Sequence, residues 1–252
     1  MTKAKAGLIG IVGDEAKQDY WGTMRRVAEI GYTGIEGEGP LLTGDVAENM
    51  RRFHDLGLEV LTVSASRDQL RDEPEKILAN AKAVGAPRAT VWWGPCETKD
   101  AVLRDAELYN AAGSLLATDG VMLCYHNHEH EFQRSFNGVY ALDVLVEHTD
   151  PAALAFEIDV AWVTFGGENP IKVLKRLAGR VPAIHVKDLY GLEKRGEFTS
   201  VGTGLVDIKG SVETAIALGI EWVVVEQDTL RNLTAFETAT ISYLYLKEAG
   251  LV

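Results

Sequence analysis

The sequence predicts a (β/α)₈ TIM barrel, formed as a single domain over residues 1–252. Three observations carry that expectation. The chain has 252 residues, close to the roughly 250 typical of this fold. A helical stretch that ends in Gly and runs at once into a short apolar segment recurs along it, as in VAEIGYTGIEG, FHDLGLEVLTVSA, ANAKAVGAPRATVWW, LLATDGVMLCYH and AIALGIEWVVVEQD. The apolar runs number eight, and helical segments separate them, which is the pattern of βα units around a parallel sheet.

Each run has a local reason to be a strand. The first is placed at 8–12, in the apolar segment near the N-terminus. The second, third, fourth and fifth are placed at 34–38, 60–64, 89–93 and 121–126, each after a Gly (Gly31, Gly57, Gly85, Gly120). A Gly there closes the preceding helix in a left-handed turn at little steric cost. The sixth and seventh occupy 155–159 and 183–187, and the eighth, Trp222–Glu226, follows Gly219. Most are rich in apolar and β-branched residues, as strands covered on both faces are. Segments 45–56 and 74–84 are amphipathic helices. A doubly wound open sheet is the alternative, but the glycine-rich fingerprint it would carry after its first strand is missing. The stretch 190–209 (YGLEKRGEFTSVGTGLVDIK) reads as a long loop at the functional rim.

Charge and cysteine usage narrow the function. A net charge of −12 disfavours binding to a phosphate backbone, so no nucleic-acid partner is expected. The Lys-containing N-terminus is broken by Gly and Asp and is not a signal peptide, and no run approaches the roughly 18 apolar residues of a membrane span. Cys96 and Cys124 form no CxxC pair or disulfide framework and read as buried free thiols. A soluble cytoplasmic protein without a membrane partner is expected.

Active sites of this fold lie at the C-terminal ends of the strands. Strand five ends in YHNHEHEF (125–132), strand six in Glu157-Ile158-Asp159, strand seven in His185-Val186-Lys187-Asp188, and strand eight in Glu226-Gln227-Asp228. Period two puts His126 with His128, Glu157 with Asp159, and His185 with Lys187 on common faces. Gathering so many carboxylates is costly by repulsion and desolvation, and a divalent cation removes that cost. Mixed carboxylate and imidazole donors suit Mn, Co, Fe or Zn, and all-oxygen sets suit Mg. Simpler roles are a helix cap for a strand-end Asp, solvated side chains for Glu129 and His130, and a structural ion pair for Lys187.

In this order along the chain, YHNHEHEF, FEIDVAWV, GGENP, GRVPAIHVKDL, VGTGLVDI and VVVEQD resemble the sugar phosphate isomerase/epimerase family of xylose-isomerase-like barrels. The resemblance runs from about the second strand to the final helix and is strongest after Gly120. It implies a divalent metal ion (Mn, Co, Mg, Fe or Zn) held by side chains of strands five to eight. Carried over by position, Asp159, His185 and Glu226 match three ligands, and His126 and Glu131 are the candidates for the fourth. Dehydratases of the superfamily place a His as base two positions after the strand-five ligand, which His128 matches. Where epimerases have a His soon after the strand-six Asp, this chain has Trp162.

The implied chemistry begins with removal of a proton next to a carbonyl of a small carbohydrate. His128 is the first candidate base, Glu157 and Glu131 the next. Lys187 would donate a hydrogen bond to a substrate oxygen, and Trp92, Trp93, Trp162 and Asp188 would contact the substrate. Isomerisation or epimerisation is the leading expectation and β-elimination, as by a dehydratase or lyase, the alternative. A phosphodiester hydrolase like endonuclease IV would need more His residues and a basic groove, and a non-catalytic sugar-binding barrel would bind no essential metal. VGTGL (201–205) is the nearest approach to a phosphate cradle, and related barrels often pair, so a homodimer is open.

Overall fold

The structure, a computed structural model, describes residues 3–252. Eight parallel strands close into a barrel: β1 (Lys5–Ile9), β2 (Gly34–Glu36), β3 (Glu59–Ala65), β4 (Arg88–Val91), β5 (Met122–His126), β6 (Leu154–Asp159), β7 (Ala183–Val186) and β8 (Trp222–Glu226). Their order around the barrel follows the chain, and β1 pairs with β8 from Lys5–Trp222 to Ile9–Glu226 to complete the ring. The expected (β/α)₈ barrel is therefore the observed fold.

Most boundaries follow the sequence pattern, and the exceptions have causes. The helix expected at 45–56 spans Val46–Asp55, with the Asp45 side chain accepting the Glu48 amide as its cap. Pro74–Val84 is helical as expected and closes on Gly85 at φ 65°. β1 begins three residues earlier than 8–12. The chain leaves the sheet at Gly10 (φ 74°), and Ile11 and Val12 bury themselves in the following loop instead. β4 ends at Val91 and β7 at Val186, so Trp92 and Lys187 lie just beyond the strands.

The lower lumen is filled by Leu61, Ala183, Trp222 and Val224, with Ile9 against them. Two glycines make room for this plug: a Cβ on Gly34 would lie 2.6 Å from Trp222 and 2.7 Å from Leu61, and one on Gly7 would lie 2.8 Å from Leu61. Leu61 is the residue skipped where pairing passes from Ile35–Val60 to Glu36–Thr62. Such an irregularity re-aims side chains locally. Above the plug, period two turns His185 of β7, Glu157 and Asp159 of β6 and Glu226 of β8 inward. The main apolar core lies between the outer faces of the strands and the helices.

The segment after β7 is not a bare loop. Asp188–Leu189 pairs antiparallel with Phe198–Thr199, and the next helix starts at Ile208. Both cysteines are buried free thiols. Among the described residues no helix is long and apolar enough to cross a membrane.

Candidate active site

Four consecutive strands deliver one potential ligand each. Donor atoms of His126, Asp159, His185 and Glu226 all lie within 4.8 Å of one another. Asp159 serves two purposes at once. Its Oδ1 accepts the amides of Ala161 and Trp162 at 2.9 Å, capping the helix Val160–Phe165. Its Oδ2 accepts no hydrogen bond from the described residues and faces the Lys187 ammonium at 3.3 Å. Asn127 Oδ1 accepts the Asp159 amide at 3.0 Å and so ties β5 to β6 at the level of the cluster.

His185 is the hinge between two layers. Its Nδ1 lies 2.8 Å from Glu226 Oε2, and its Nε2 lies 2.7 Å from Glu36 Oε2 and 3.5 Å from Glu157 Oε2. Glu36, Glu157 and His185 thus form a second, deeper group, with Arg88 3.6 Å from Glu36. Glu36 was not among the residues expected from sequence. It stands within the run 34–38 expected as the second strand, and the available signal was an acidic residue inside a strand covered on both faces. Lys187 is fully buried, and its Nζ meets Asp228 at 2.8 Å, Glu226 at 3.0 Å and Asp159 at 3.3 Å.

The electrostatics record the strain of this gathering. Burial, reinforced by the charge of Glu157, pushes the Glu36 carboxyl up to about 7. Burial likewise lifts Asp159 to about 6 although Lys187 opposes it. Burial disfavours a charge on His185, yet Glu36 and Glu157 hold its imidazole well above the ordinary value. His126 and His128 go the other way. Burial, with the positive charges of His185 and Lys187 respectively, keeps His126 well below its ordinary value and His128 down at about 4.

These residues fit a divalent cation. Two buried carboxyls are pushed towards protonation, Asp159 Oδ2 is without a hydrogen bond, and His126 is held neutral, the form in which imidazole ligates. The donor set, two imidazoles and two carboxylates, is of the kind that binds Mn, Co, Fe or Zn. Glu36 would supply the outer carboxylate that orients a ligating His185.

A cleft of about 600 Å³ opens over the cluster, lined among others by Trp92, Trp93, His126, His128, Glu226 and Asp228. Several expected residues lie elsewhere or act differently. Glu131 is not in the metal-type cluster, because its carboxylate accepts the Tyr125 hydroxyl at 2.5 Å and the His128 amide at 2.9 Å. Glu157 is sealed below His185. Lys187 has its ammonium engaged by three carboxylates rather than turned to the cleft. Asp188 accepts the amides of Leu189, Gly202, Gly204 and Val206 at 2.9–3.0 Å, so the VGTGL loop already wraps an internal carboxylate. Trp162 is only 1 % exposed and lies under His128 and the Arg195 guanidinium, at ring distances of 5.4 and 4.4 Å. Glu129 and His130 are not simply solvated: Glu129 accepts Arg195 at 2.5 Å, and His130 bonds the Gly94 carbonyl at 3.0 Å.

The family model described as "Xylose isomerase-like TIM barrel" matches residues 24–241. This chain belongs to that family. Within the xylose isomerase-like barrels, it is 26 % identical over 225 residues to an inosose dehydratase of Klebsiella pneumoniae (strain 342), covering 82 % of this chain and 70 % of that protein. The crystal structure of a sugar phosphate isomerase/epimerase from Parabacteroides distasonis ATCC 8503 superposes with a TM-score of 0.84 at 24 % identity, covering 100 % of this chain and 96 % of that one. The IolI protein, solved with a bound zinc atom, superposes with a TM-score of 0.77 at 14 % identity, covering 97 % of each chain.

Proposed function

We propose that this xylose isomerase-like barrel is a divalent-metal-dependent dehydratase of a keto-inositol or similar cyclic keto-sugar. The observation that carries the reading is the placement of the three candidate bases. Only His128 lines the cleft, since Glu131 is tied to Tyr125 and the His128 amide, and Glu157 is sealed beneath His185. A single neutral imidazole suits a reaction in which one group both takes and returns a proton. The similarity to inosose dehydratases supports the same choice.

His126, Asp159, His185 and Glu226 would hold the metal ion, which would supply Lewis-acid polarisation of the substrate carbonyl. Trp92 and Trp93 offer aromatic faces to the C–H surface of the ring. Asp228, with its side chain 41 % exposed, is placed to accept a substrate hydroxyl. His128 removes the proton from the carbon next to the carbonyl. The electron pair of that C–H bond forms the new C=C bond as the C–O bond to the β-hydroxyl breaks. The imidazolium of His128 then returns its proton to the departing oxygen, which leaves as water. Lys187 fixes Glu226, Asp159 and Asp228 rather than touching substrate.

Isomerisation or epimerisation, the leading expectation from sequence, shares the first step and is the second reading. It is supported by the similarity in fold to a sugar phosphate isomerase/epimerase of Parabacteroides distasonis ATCC 8503. The deciding experiment incubates the Mn²⁺-loaded protein with keto-inositols and ketoses in deuterated water, followed by NMR and by the ultraviolet absorbance of a conjugated enone. Enone formation with loss of water supports the dehydratase. Deuterium incorporation without dehydration overturns it in favour of the second reading, and the absence of both overturns both.

A further inference from the structure

We propose that the site has a second, apolar compartment, and that its substrate is amphipathic: a sugar-like ring over the metal-type cluster joined to an apolar, aromatic-sized substituent. This rests on the cleft being the substrate site and adds what the substrate must carry. Beside the polar cleft lies a cavity of about 540 Å³ walled by Leu8, Val12, Ala16, Tyr20, Met24 and Ile35. That volume lies within the roughly 300–1,000 Å³ of small-molecule pockets. Leu8, Val12, Met24 and Ile35 are otherwise core residues, so the cavity reaches from the rim down to the barrel wall. Lys17, on its lining, is engaged with Asp14 at 2.7 Å.

The two spaces are adjacent and share part of their walls. Ile9, Gly10, Glu36 and Gly37 line both. The junction is kept low by its glycines: a Cβ on Gly10 or Gly37 would meet no atom within 4 Å, and both have positive φ (74° and 94°) that disfavours any other residue. A simple sugar would fill the polar half and leave the apolar half to water, whereas a ring carrying an apolar group buries surface that water solvates poorly. The shared walls point to one ligand spanning both, since a group seated in the cavity lies against residues that also line the cleft.

The test measures binding without turnover. Affinities of the Mn²⁺-loaded protein for 2-naphthyl β-D-glucopyranoside and methyl β-D-glucopyranoside, neither of which has a carbonyl to be turned over, are compared by calorimetry. The expected result is at least about tenfold tighter binding of the naphthyl glycoside. The preference should be lost in Ala16→Trp, and reduced in the milder Ala16→Leu, with methyl glycoside affinity unchanged in both. Equal affinities in the unmodified protein, no binding of either glycoside, or a preference that survives in folded Ala16→Trp and Ala16→Leu would each overturn the compartment. A dimer that dissociates in Ala16→Trp, without a glycoside preference, would assign the cavity to a second copy and overturn it as well. The outcome is separable from the proposed chemistry. A naphthyl preference without metal-dependent turnover keeps the compartment and removes the dehydratase. Turnover of plain keto-sugars without the preference does the reverse.

Discussion

His185 Nε2 lies 2.7 Å from Glu36 Oε2, although the two residues stand on strands separated in the barrel by β1 and β8. The contact crosses the lumen and leaves Nδ1 of the same ring facing Glu226. If His185 ligates a metal, Glu36 fixes its tautomer and orientation. Glu36→Gln should therefore lower Mn²⁺ affinity about 10–100-fold, as measured by calorimetry, while the circular dichroism spectrum stays unchanged. Unchanged affinity would remove Glu36 from the metal's surroundings.

Glu226→Ala removes a carboxylate that contacts both His185 and Lys187. Mass spectrometry of metal content should find a stoichiometric ion in the unmodified protein and none in the variant. Retention of the ion by Glu226→Ala would show that the cluster is not where it binds.

His128 lines the cleft without belonging to the four-residue cluster. His128→Asn should keep its metal and lose about 10²–10⁴ in kcat, the usual contribution of a general base. Loss of metal together with activity would instead make His128 a ligand.

Lys187 is enclosed by Asp159, Glu226 and Asp228. Breaking a buried charge pair by removing one partner costs about 3–5 kcal/mol. Lys187→Met should be destabilised by that order in thermal melts with EDTA, and Mn²⁺ should raise its melting temperature more than it raises that of the unmodified protein. An equal rise in both would mean that the ammonium and the ion act independently.

Asp188→Ala leaves four loop amides without their acceptor. Hydrogen bonds to charged groups are each worth about 1.5–3 kcal/mol, and compensation by water should limit the total to about 3 kcal/mol. For a chain of this size the melting temperature should fall by roughly 6–12 °C. An unchanged melting temperature with weakened substrate binding would restore Asp188 as a substrate contact.

The barrel and four of its strand-end side chains were legible because their signals are local. Gly after five of the helices, and a polar residue closing an apolar strand, both stand in the sequence next to the feature they mark. β1 was displaced because Ile11 and Val12 extend its apolar run, and only the turn at Gly10 shows that they bury in a loop. Glu36 was passed over because its partner is 149 residues away. Lys187 was recognised as a functional type, but its enclosure depends on carboxylates from β6 and β8 that no spacing reveals. The amides that Asp188 gathers were hidden for the same reason, since those of Gly202, Gly204 and Val206 come 14–18 residues later.

The plug of Leu61, Ala183, Trp222 and Val224 has a kinetic meaning. It closes the barrel below the strand-end cluster, so that the cluster is reached from the rim and not along the barrel axis. On the proposed reading, reactant and product would share that side of the barrel, and added product should slow turnover in progress curves.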